Sequence, residues 1–319
     1  MQAKISNCEP QIKSQIMIPP ALQPGDLLRV IAPSGALREL DTFSRGVEVW
    51  RSRGYTIEVI PQIDDRWGYL AGTDDKRRFH LQTAWEDPEC KGILCARGGF
   101  GCTRILEDWD WNRLKNPSST PTLTPKWLIG FSDITALLWS LHQVGISGVH
   151  GAVLTTLAAE AEWSQQRLFD WVEGKEIPPL QGNGWGGGIV DGVLLPGNLT
   201  VATHLLGTKY QPNFDDVILA IEDVSEAPYR IDRMLTQWRM SGVLAKVRGI
   251  AIGRFSQCEP PANIPSFNVM EVLRDRLSDL NIPIVSDLPF GHDGNNAALP
   301  VGVMAKLDAN QGTLAIQKN

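Results

Sequence analysis

Short apolar runs that alternate with helical stretches constrain the fold of this chain more than any other feature. The runs "DLLRVIA" (26–32), "KGILCA" (91–96) and "KWLIGF" (126–131) each predict a buried strand, and a stretch with helical spacing follows each of them. Such alternation is typical of βαβ units. The sequence therefore predicts an α/β fold whose N-terminal domain is built on a parallel sheet.

The composition changes near residue 176. Residues 176–192 are rich in Pro and Gly and show no hydrophobic period, which is typical of a linker. This segment separates a predicted N-terminal domain (25–175) from a smaller predicted C-terminal α/β domain (193–319), whose denser strand pattern indicates a mixed sheet. Residues 1–24 precede the first strand and are expected to be a disordered tail.

Other local signals mark the ends of elements in the N-terminal half. One helix is predicted to stop at Gly54, and Asp74 is expected to cap the start of another that runs to residue 87. A Pro- and Ser-rich insertion occupies residues 116–126. It can be a surface loop or a lid, and both interpretations stay open.

Composition excludes several classes of function. The formal net charge is −6 and no cluster of Lys and Arg stands out, so nucleic acid is not an expected partner. No window approaches the roughly 18 apolar residues of a membrane span, and the N-terminus lacks the apolar core of a signal peptide, so we expect a cytoplasmic protein. The five cysteines form no C-x-x-C pair and no H-E-x-x-H motif is present. Disulfides, a cysteine-based zinc site and a zinc peptidase of that type are therefore not expected. No metal and no other cofactor is predicted.

Three loops with unusual chemistry, "APSG", "ARGGFG" and "GFSD", follow predicted strands. The carboxyl ends of parallel strands share one edge of a sheet, where ligands bind, so the three loops indicate a single site. The second loop matches neither a dinucleotide-binding loop nor a Walker A motif. Its glycines Gly98 and Gly99 can aim backbone N–H groups at an oxyanion, or they can be plain turn residues.

Ser132, in the third loop, stands between a predicted strand and a predicted helix. Serine is a favoured N-cap, and a cap is the commoner role at such a position. The strand-to-helix turn is also the geometry of a nucleophile elbow, in which the hydroxyl is exposed and the next backbone N–H, here that of Asp133, can bind an oxyanion. The G-x-S-x-G motif itself is absent, because Ile134 replaces the second glycine.

A serine nucleophile needs a base, which is usually histidine. His80 and His142 lie in predicted helices, and His150 and His204 have the apolar surroundings of hydrogen-bonded core residues. His292 differs because "PFGHDGNN" is a polar, glycine-rich loop that follows a strand. The sequence therefore favours His292 as the base.

The base in turn needs a carboxylate that orients it. Glu222 and Asp223 lie at the end of the apolar run "DVILAIEDV", where an unpaired carboxylate would be costly. Neighbouring side chains of a strand face opposite ways, so only one of the two can face the site. Either carboxylate can instead pair with Arg230 or Arg233, and the residues alone leave this choice open.

Eight motifs in this order resemble the LD-carboxypeptidases, or muramoyltetrapeptide carboxypeptidases, which are serine peptidases of the S66 type. The resemblance runs from about residue 25 to about residue 310. The motifs are "IAPSG", "YLAGTDDKR", "CARGGFGCTRIL", "LIGFSDITALL", "VHGAV", "LLPGNLTVATHLLGT", "ILAIEDVSEAPYRIDRMLTQ" and "GHDGNNAALPVGVMAKLD".

The resemblance implies a Ser132–Glu222–His292 triad, and so chooses Glu222 over Asp223. It also implies an oxyanion hole formed by the backbone N–H of Asp133 with that of Gly99 or Gly98. The implied reaction releases the terminal D-Ala from the murein tetrapeptide L-Ala-γ-D-Glu-meso-diaminopimelate-D-Ala during cell-wall recycling in the cytoplasm, by a homodimer without a metal. The alternatives are an immunity hydrolase of the same family that cleaves peptide-nucleotide antibiotics, and a non-catalytic muropeptide-binding protein.

Overall fold

The protein is described by a computed structural model of residues 16–61, 63–114, 124–260 and 262–317. Within these ranges the strands form two sheets. The first sheet has the order β12-β5-β4-β3-β1-β2, and all neighbours are parallel except β12. Its strands are β1 (Leu27–Ile31), β2 (Thr56–Val59), β3 (Cys90–Cys95), β4 (Trp127–Gly130), β5 (Val149–His150) and β12 (Leu299–Pro300).

The second sheet is mixed and has the order β6-β14-β13-β8-β9-β10-β11-β7. The central strands β8 to β11 run parallel, and antiparallel strands extend the sheet on both sides. Its strands are β6 (Leu180–Gln181), β7 (Asn183–Trp185), β8 (Ile189–Asn198), β9 (Val217–Val224), β10 (Gly249–Ser256), β11 (Ile284–Ser286), β13 (Met304–Asp308) and β14 (Thr313–Ile316).

Helices connect the parallel strands of both sheets and supply the second layer of each. The α-helices are α1 (Leu40–Arg51), α2 (Asp74–Glu86), α3 (Cys102–Leu106), α4 (Thr135–Gln143), α5 (Leu154–Leu157), α6 (Glu162–Val172), α7 (Leu199–Leu205), α8 (Pro228–Met240) and α9 (Val269–Leu277). Short 3-10 turns are formed by Trp111–Leu114, Ser132–Ile134, Val243–Ala245 and Ser278–Leu280. The predicted α/β architecture, with a mostly parallel first sheet and a mixed second sheet, is confirmed.

The apolar runs that predicted the fold are buried on both faces of the first sheet. β4 is buried throughout and β3 is buried at every position except Lys91. Parallel strands that are covered by helices on both sides read as continuous apolar runs, because neither face meets water. This burial explains why strand positions could be recognised from the sequence.

The segment 176–192, the predicted linker, has secondary structure of its own. It contains β6, β7 and the start of β8, and the Trp185 indole is buried and donates to Ser286 Oγ at 2.7 Å. A Cβ at Gly184 would lie 1.8 Å from the Ala309 carbonyl oxygen, so glycine is needed for a close backbone approach. Edge strands this short and glycine-rich carry no hydrophobic period, which explains why the sequence gives no strand signal here.

Residues 16–24 also differ from the expected disordered tail. Leu22 is buried, its N–H donates to the Val172 carbonyl, and the Pro20 carbonyl accepts from the Trp127 indole at 2.8 Å. The apolar side chain and these backbone contacts dock the segment on the first sheet and on α6. Residues 1–15 lie outside the described residues, as do residues 116–123 of the predicted insertion.

The cap of α2 differs by one residue from the expectation. Thr73 is the N-cap, with its side chain accepting from the Lys76 N–H, and Asp74 is the first helical residue. Asp74 is turned instead towards Arg77 and Arg104. The two residue types are both good caps, so the spacing alone could not separate them.

Contacts between α4 and β8 join the two sheets. A Cβ at Gly197 would lie 2.6 Å from Thr135 Cγ2, and the Trp139 indole donates to the Pro196 carbonyl at 2.8 Å. Strand β12 follows β11 in the chain yet pairs with β5 of the first sheet. The N-terminal end of α4 is therefore held against the carboxyl end of β8, and a site forms where the two sheets meet.

Candidate active site

Ser132 lies at a sharp turn between β4 and α4. Phe131 is extended, and Ser132, the first residue of the 3-10 turn, then adopts a positive φ of 62°. Only glycine takes this conformation without strain, and serine there costs roughly 1–2 kcal/mol. A Cβ at Gly130 would lie 2.9 Å from Ile134 Cγ1, so this tight turn also needs the small residue before Phe131. The turn has the strained geometry of a nucleophile elbow.

The glycine loop packs directly against Ser132. A Cβ at Gly98 would lie 3.0 Å from Ser132 Cβ and 3.1 Å from its hydroxyl oxygen. The Gly98 carbonyl accepts from the Gly35 N–H at 3.2 Å. In a trans peptide the next N–H points the opposite way, so the N–H of Gly99 faces away from Gly35. Within the described residues, neither this N–H nor that of Asp133 donates a hydrogen bond.

Gly98→Ala is expected to lower kcat about 10²-fold. The new methyl group would displace the Ser132 hydroxyl or the glycine loop by a fraction of an ångström. Gly151→Ala is the matched control, since a methyl there meets its neighbours at 3.4 Å or more. Steady-state kinetics of both variants would check this. Equal turnover of the two variants would show that the close approach of Gly98 to Ser132 has no catalytic role.

The side chain of Asp133 is turned away from solvent and ties the three loops together. Its Oδ2 accepts from Ser34 Oγ at 2.6 Å and from the Cys102 N–H at 2.9 Å. Burial raises the pKa of this carboxyl, and the two hydrogen bonds oppose the shift. The loops that follow β1, β3 and β4 therefore meet at one edge, as the sequence predicts for parallel strands.

His292 and Glu222 form the second part of the site. Glu222 is completely buried at the end of β9, and its Oε2 lies 2.6 Å from His292 Nδ1. The His292 ring packs on the Phe131 ring with centroids 4.5 Å apart. The residue before Ser132 therefore contacts the imidazole that is paired with Glu222. Within the described residues the Ser132 hydroxyl itself makes no hydrogen bond, which is common for catalytic contacts in an unliganded site.

Asn198 binds both Glu222 and Asp223, whereas only Glu222 contacts the imidazole. It lies at the end of β8, in register with Glu222, and its amide donates to Glu222 Oε1 at 3.2 Å and to Asp223 Oδ1 at 3.0 Å. Asp223 also accepts from the N–H and hydroxyl of Thr200. Neither carboxylate pairs with Arg230 or Arg233 among the described contacts, and Arg230 pairs with Glu226.

The surroundings of His292 raise the pKa of its imidazole. Burial by itself lowers the pKa of His292, but the charge and hydrogen bond of Glu222, with smaller contributions from Asp223 and Glu160, produce a net rise. Burial, followed by repulsion from Glu222, raises the pKa of Asp223 to about 6. The imidazole is therefore poised to accept a proton and to be stabilised as imidazolium.

The loop that carries His292 is fixed from both halves of the chain. Asn296 Oδ1 accepts from the Gly291 N–H at 3.1 Å, and the Asn296 N–H donates to Glu160 Oε2 at 2.8 Å. Ser164, on α6, donates to the Asn296 carbonyl. Glu160 is buried and lies in the segment before α6. The first half of the chain thus positions the loop that the second half supplies.

Sequence reasoning did not single out Asn198, Ser34, Glu160 or Asn296. Asn198 and Ser34 lie inside motifs that the sequence displays, but their partners are far away in the chain, so no spacing could identify the contacts. His150 was expected to be a hydrogen-bonded core residue. It is buried, but its ring nitrogens make no hydrogen bond within the described residues.

The site combines a strained serine, free backbone donors and a carboxylate–imidazole pair. This combination has the parts of an acyl-transfer site, namely nucleophile, base, orienting acid and oxyanion donors. In the ranges that the structure describes, no cluster of three or more His, Cys, Asp or Glu residues could hold a metal ion. No helix in those ranges has the length and apolarity needed to cross a membrane.

Two domain models of one family match the chain. The LD-carboxypeptidase N-terminal domain matches residues 28–151, and the LD-carboxypeptidase C-terminal domain matches residues 191–307. The chain belongs to the LD-carboxypeptidase family.

Individual relatives agree with this assignment along most of the chain. A protein of Synechocystis sp. is 57% identical over 93% of this chain and 96% of its own length. The murein tetrapeptide carboxypeptidase of Pseudomonas aeruginosa is 32% identical over 88% of this chain and 93% of its own length. Both matches extend over nearly the full length of the relative.

Solved structures show the same fold. The muramoyltetrapeptide carboxypeptidase from Oxalobacter formigenes superposes with a TM-score of 0.80 at 28% identity, covering 90% of this chain and 97% of that one. MccF in complex with glutamyl sulfamoyl guanosine superposes with a TM-score of 0.82 at 20% identity, covering 94% and 98%. The second likeness shows the shared fold alone.

Proposed function

We propose that this protein is a serine LD-carboxypeptidase that releases the terminal D-Ala from murein tetrapeptide. The observation that carries the proposal is the contact of the Glu222–His292 pair with Phe131, the residue that precedes the strained Ser132. The substrate is supported by the Pseudomonas aeruginosa relative, whose name gives murein tetrapeptide as what it cleaves.

In the proposed mechanism His292, held by Glu222, removes the proton of Ser132 as the hydroxyl attacks the carbonyl carbon of the L-centre. His292 then gives the proton to the leaving D-Ala amine, and water hydrolyses the ester with His292 again as base. Glu222 keeps Nδ1 of the ring protonated and stabilises the imidazolium that forms. Besides the attacking water, this chemistry uses side chains and backbone groups of the protein.

The proposed oxyanion hole consists of the N–H groups of Asp133 and Gly99. The direction of the Gly98 carbonyl supports Gly99 over Gly98, since it turns the Gly99 N–H away from Gly35. One such donor contributes a factor of roughly 10²–10³ to kcat.

We propose that the protein acts in cell-wall recycling, in the cytoplasm and as a homodimer. The proposed nucleophile-bearing domain is the segment 25–175, and the proposed domain that carries the base and its carboxylate is the segment 193–319.

Free D-Ala released by the purified protein from murein tetrapeptide, with EDTA present, would test the function. We expect release from the tetrapeptide and at least about 10²-fold slower release of L-Ala from its isomer with a terminal L-Ala, because a site built for a D-centre misplaces the other enantiomer. Cleavage of an aspartyl sulfamoyl adenosine but not of the tetrapeptide would replace the proposal by the immunity-hydrolase alternative. Binding of the tetrapeptide without turnover would favour a non-catalytic muropeptide-binding protein.

A further inference from the structure

Arg77 is a buried cation that the proposed mechanism does not use. It lies on α2, within the motif "YLAGTDDKR", and is 1% exposed. Its guanidinium pairs with Asp74, which also binds Arg104 through two oxygens. A buried arginine is expensive unless its charge and its donors are matched, so its retention here calls for a specific role.

The guanidinium bridges two of the three loops at the site. Its Nη1 donates to the Pro33 carbonyl in "APSG" and to the Gly101 carbonyl, at 2.8 Å, in "RGGFG". Gly101 has a φ of 141°, and a Cβ there would lie 2.5 Å from that same nitrogen. The glycine loop is therefore shaped to receive the arginine head group.

Each of the two bridged loops also contacts Ser132 or Asp133 through a residue close in sequence to the carbonyl that Arg77 binds. Ser34, next to Pro33, donates to Asp133, and the Cys102 N–H, next to Gly101, donates to the same oxygen. Gly98, three residues before Gly101, packs on the Ser132 side chain. A shift of the two carbonyls would thus be transmitted to the nucleophile turn and to the proposed oxyanion donor Gly99.

We propose that Arg77 is a positioning residue that holds the glycine loop at the distance from Ser132 that the oxyanion requires. The inference rests on the proposed function. Arginine suits this task because its planar fork satisfies several acceptors at fixed angles, which a lysine ammonium does not reproduce. Removing it would take one donor from each of two buried carbonyls and would free the loop to move. The Gly101 carbonyl would keep the Ile105 N–H, and the Pro33 carbonyl would keep the weak thiol donor of Cys102.

The test compares Arg77→Met, Arg77→Lys and Arg167→Met. Arg167 is the matched control, because it is also buried and also donates to two backbone carbonyls, those of Ala298 and Pro178. We expect Arg77→Met to lower kcat for D-Ala release about 10²-fold with KM changed less than about threefold, since the loop matters most in the transition state. Arg77→Lys should recover about tenfold of that loss, and Arg167→Met should lose less than about threefold in kcat.

A second readout does not depend on the peptide. Labelling of Ser132 by a fluorophosphonate, followed by intact-mass spectrometry, should slow in Arg77→Met in proportion to kcat, because that reaction also places an oxygen among the oxyanion donors. Wild-type protein that neither releases D-Ala nor is labelled would overturn the proposed function together with this inference. Active wild-type protein with equal rates in Arg77→Met would overturn the inference alone.

If Arg77 served only the stability of the fold, removing either buried arginine would lower kcat to a similar extent. Equal losses of kcat in Arg77→Met and Arg167→Met would show that burial of any arginine matters equally, and would overturn the positioning role. If Arg77→Met does not fold, Arg77→Lys decides: a fall of about tenfold in kcat at constant KM supports the role, and an unchanged kcat contradicts it.

Discussion

Ser132→Ala is expected to lower kcat for D-Ala release by a factor on the order of 10⁴ or more, because removing the nucleophile of a triad leaves only binding and oxyanion stabilisation. Ser241→Ala provides the matched control, since that hydroxyl lies at the end of α8 and donates to the Trp238 carbonyl. D-Ala release under saturating substrate measures both variants. A fall of less than about tenfold in Ser132→Ala would remove this residue from the chemistry.

The same position offers a stability measurement that separates a nucleophile from a helix cap. With φ at 62°, Ser132 is strained, and glycine relieves this strain while costing some chain entropy. Ser132→Gly should therefore leave the free energy of unfolding unchanged or raise it by up to about 1 kcal/mol. A loss of more than about 1 kcal/mol in urea unfolding would indicate that the hydroxyl serves the fold as a cap.

Glu222→Gln is expected to have the second largest effect, a loss of about 10³–10⁴ in kcat. The amide would no longer fix the His292 tautomer or stabilise the imidazolium. Asp223→Asn is the matched control, because it changes the neighbouring carboxylate, which binds Asn198 and Thr200 and not the imidazole. We expect that control to lose less than about tenfold in kcat, and equal losses in the two variants would contradict the assignment of the orienting acid to Glu222.

The pH profile of Glu222→Gln follows from the pKa of His292. A base must be neutral to act, so wild-type kcat/KM should rise with pH through a midpoint above 6.5, because the pKa of His292 is raised. Without the Glu222 charge, burial lowers this pKa, and the residual activity should have its midpoint at lower pH. A midpoint that stays in place or moves to higher pH would show that Glu222 does not control the protonation of His292.

The contrast between Glu222 and Asp223 shows what local patterns cannot resolve. Both carboxylates end the same apolar run, and strand alternation says only that they differ in direction. The structure places Glu222 on His292 because the loop 291–296 is held over β9 by Asn296 and Glu160. The Glu222–His292 and Glu160–Asn296 contacts join residues 70 and 136 positions apart, so no short window contains them.

Two chain segments have order that the sequence pattern does not indicate, and the physical cause is the same in both. Hydrophobic periodicity reports an element only when one face is buried over several turns or residues. Strands β6 and β7 are two and three residues long, and residues 16–24 dock through Leu22 and backbone hydrogen bonds. Segments that are ordered by edge-strand pairing and backbone hydrogen bonds therefore have no distinctive composition or hydrophobic period.

Local sequence was sufficient for the α/β class, the parallel first sheet and the three loops at one edge, because buried strands must be apolar and parallel strands must end together. Residue order also drew attention to Ser132 and His292. Three features form only when distant segments pack against each other. They are the positive φ of Ser132, the Glu222–His292 pair, and the hydrogen bonds from Arg77 to two loops. Burial and hydrogen bonds between those segments stabilise these features. Because the partners are distant in the chain, no local sequence pattern predicts the contacts.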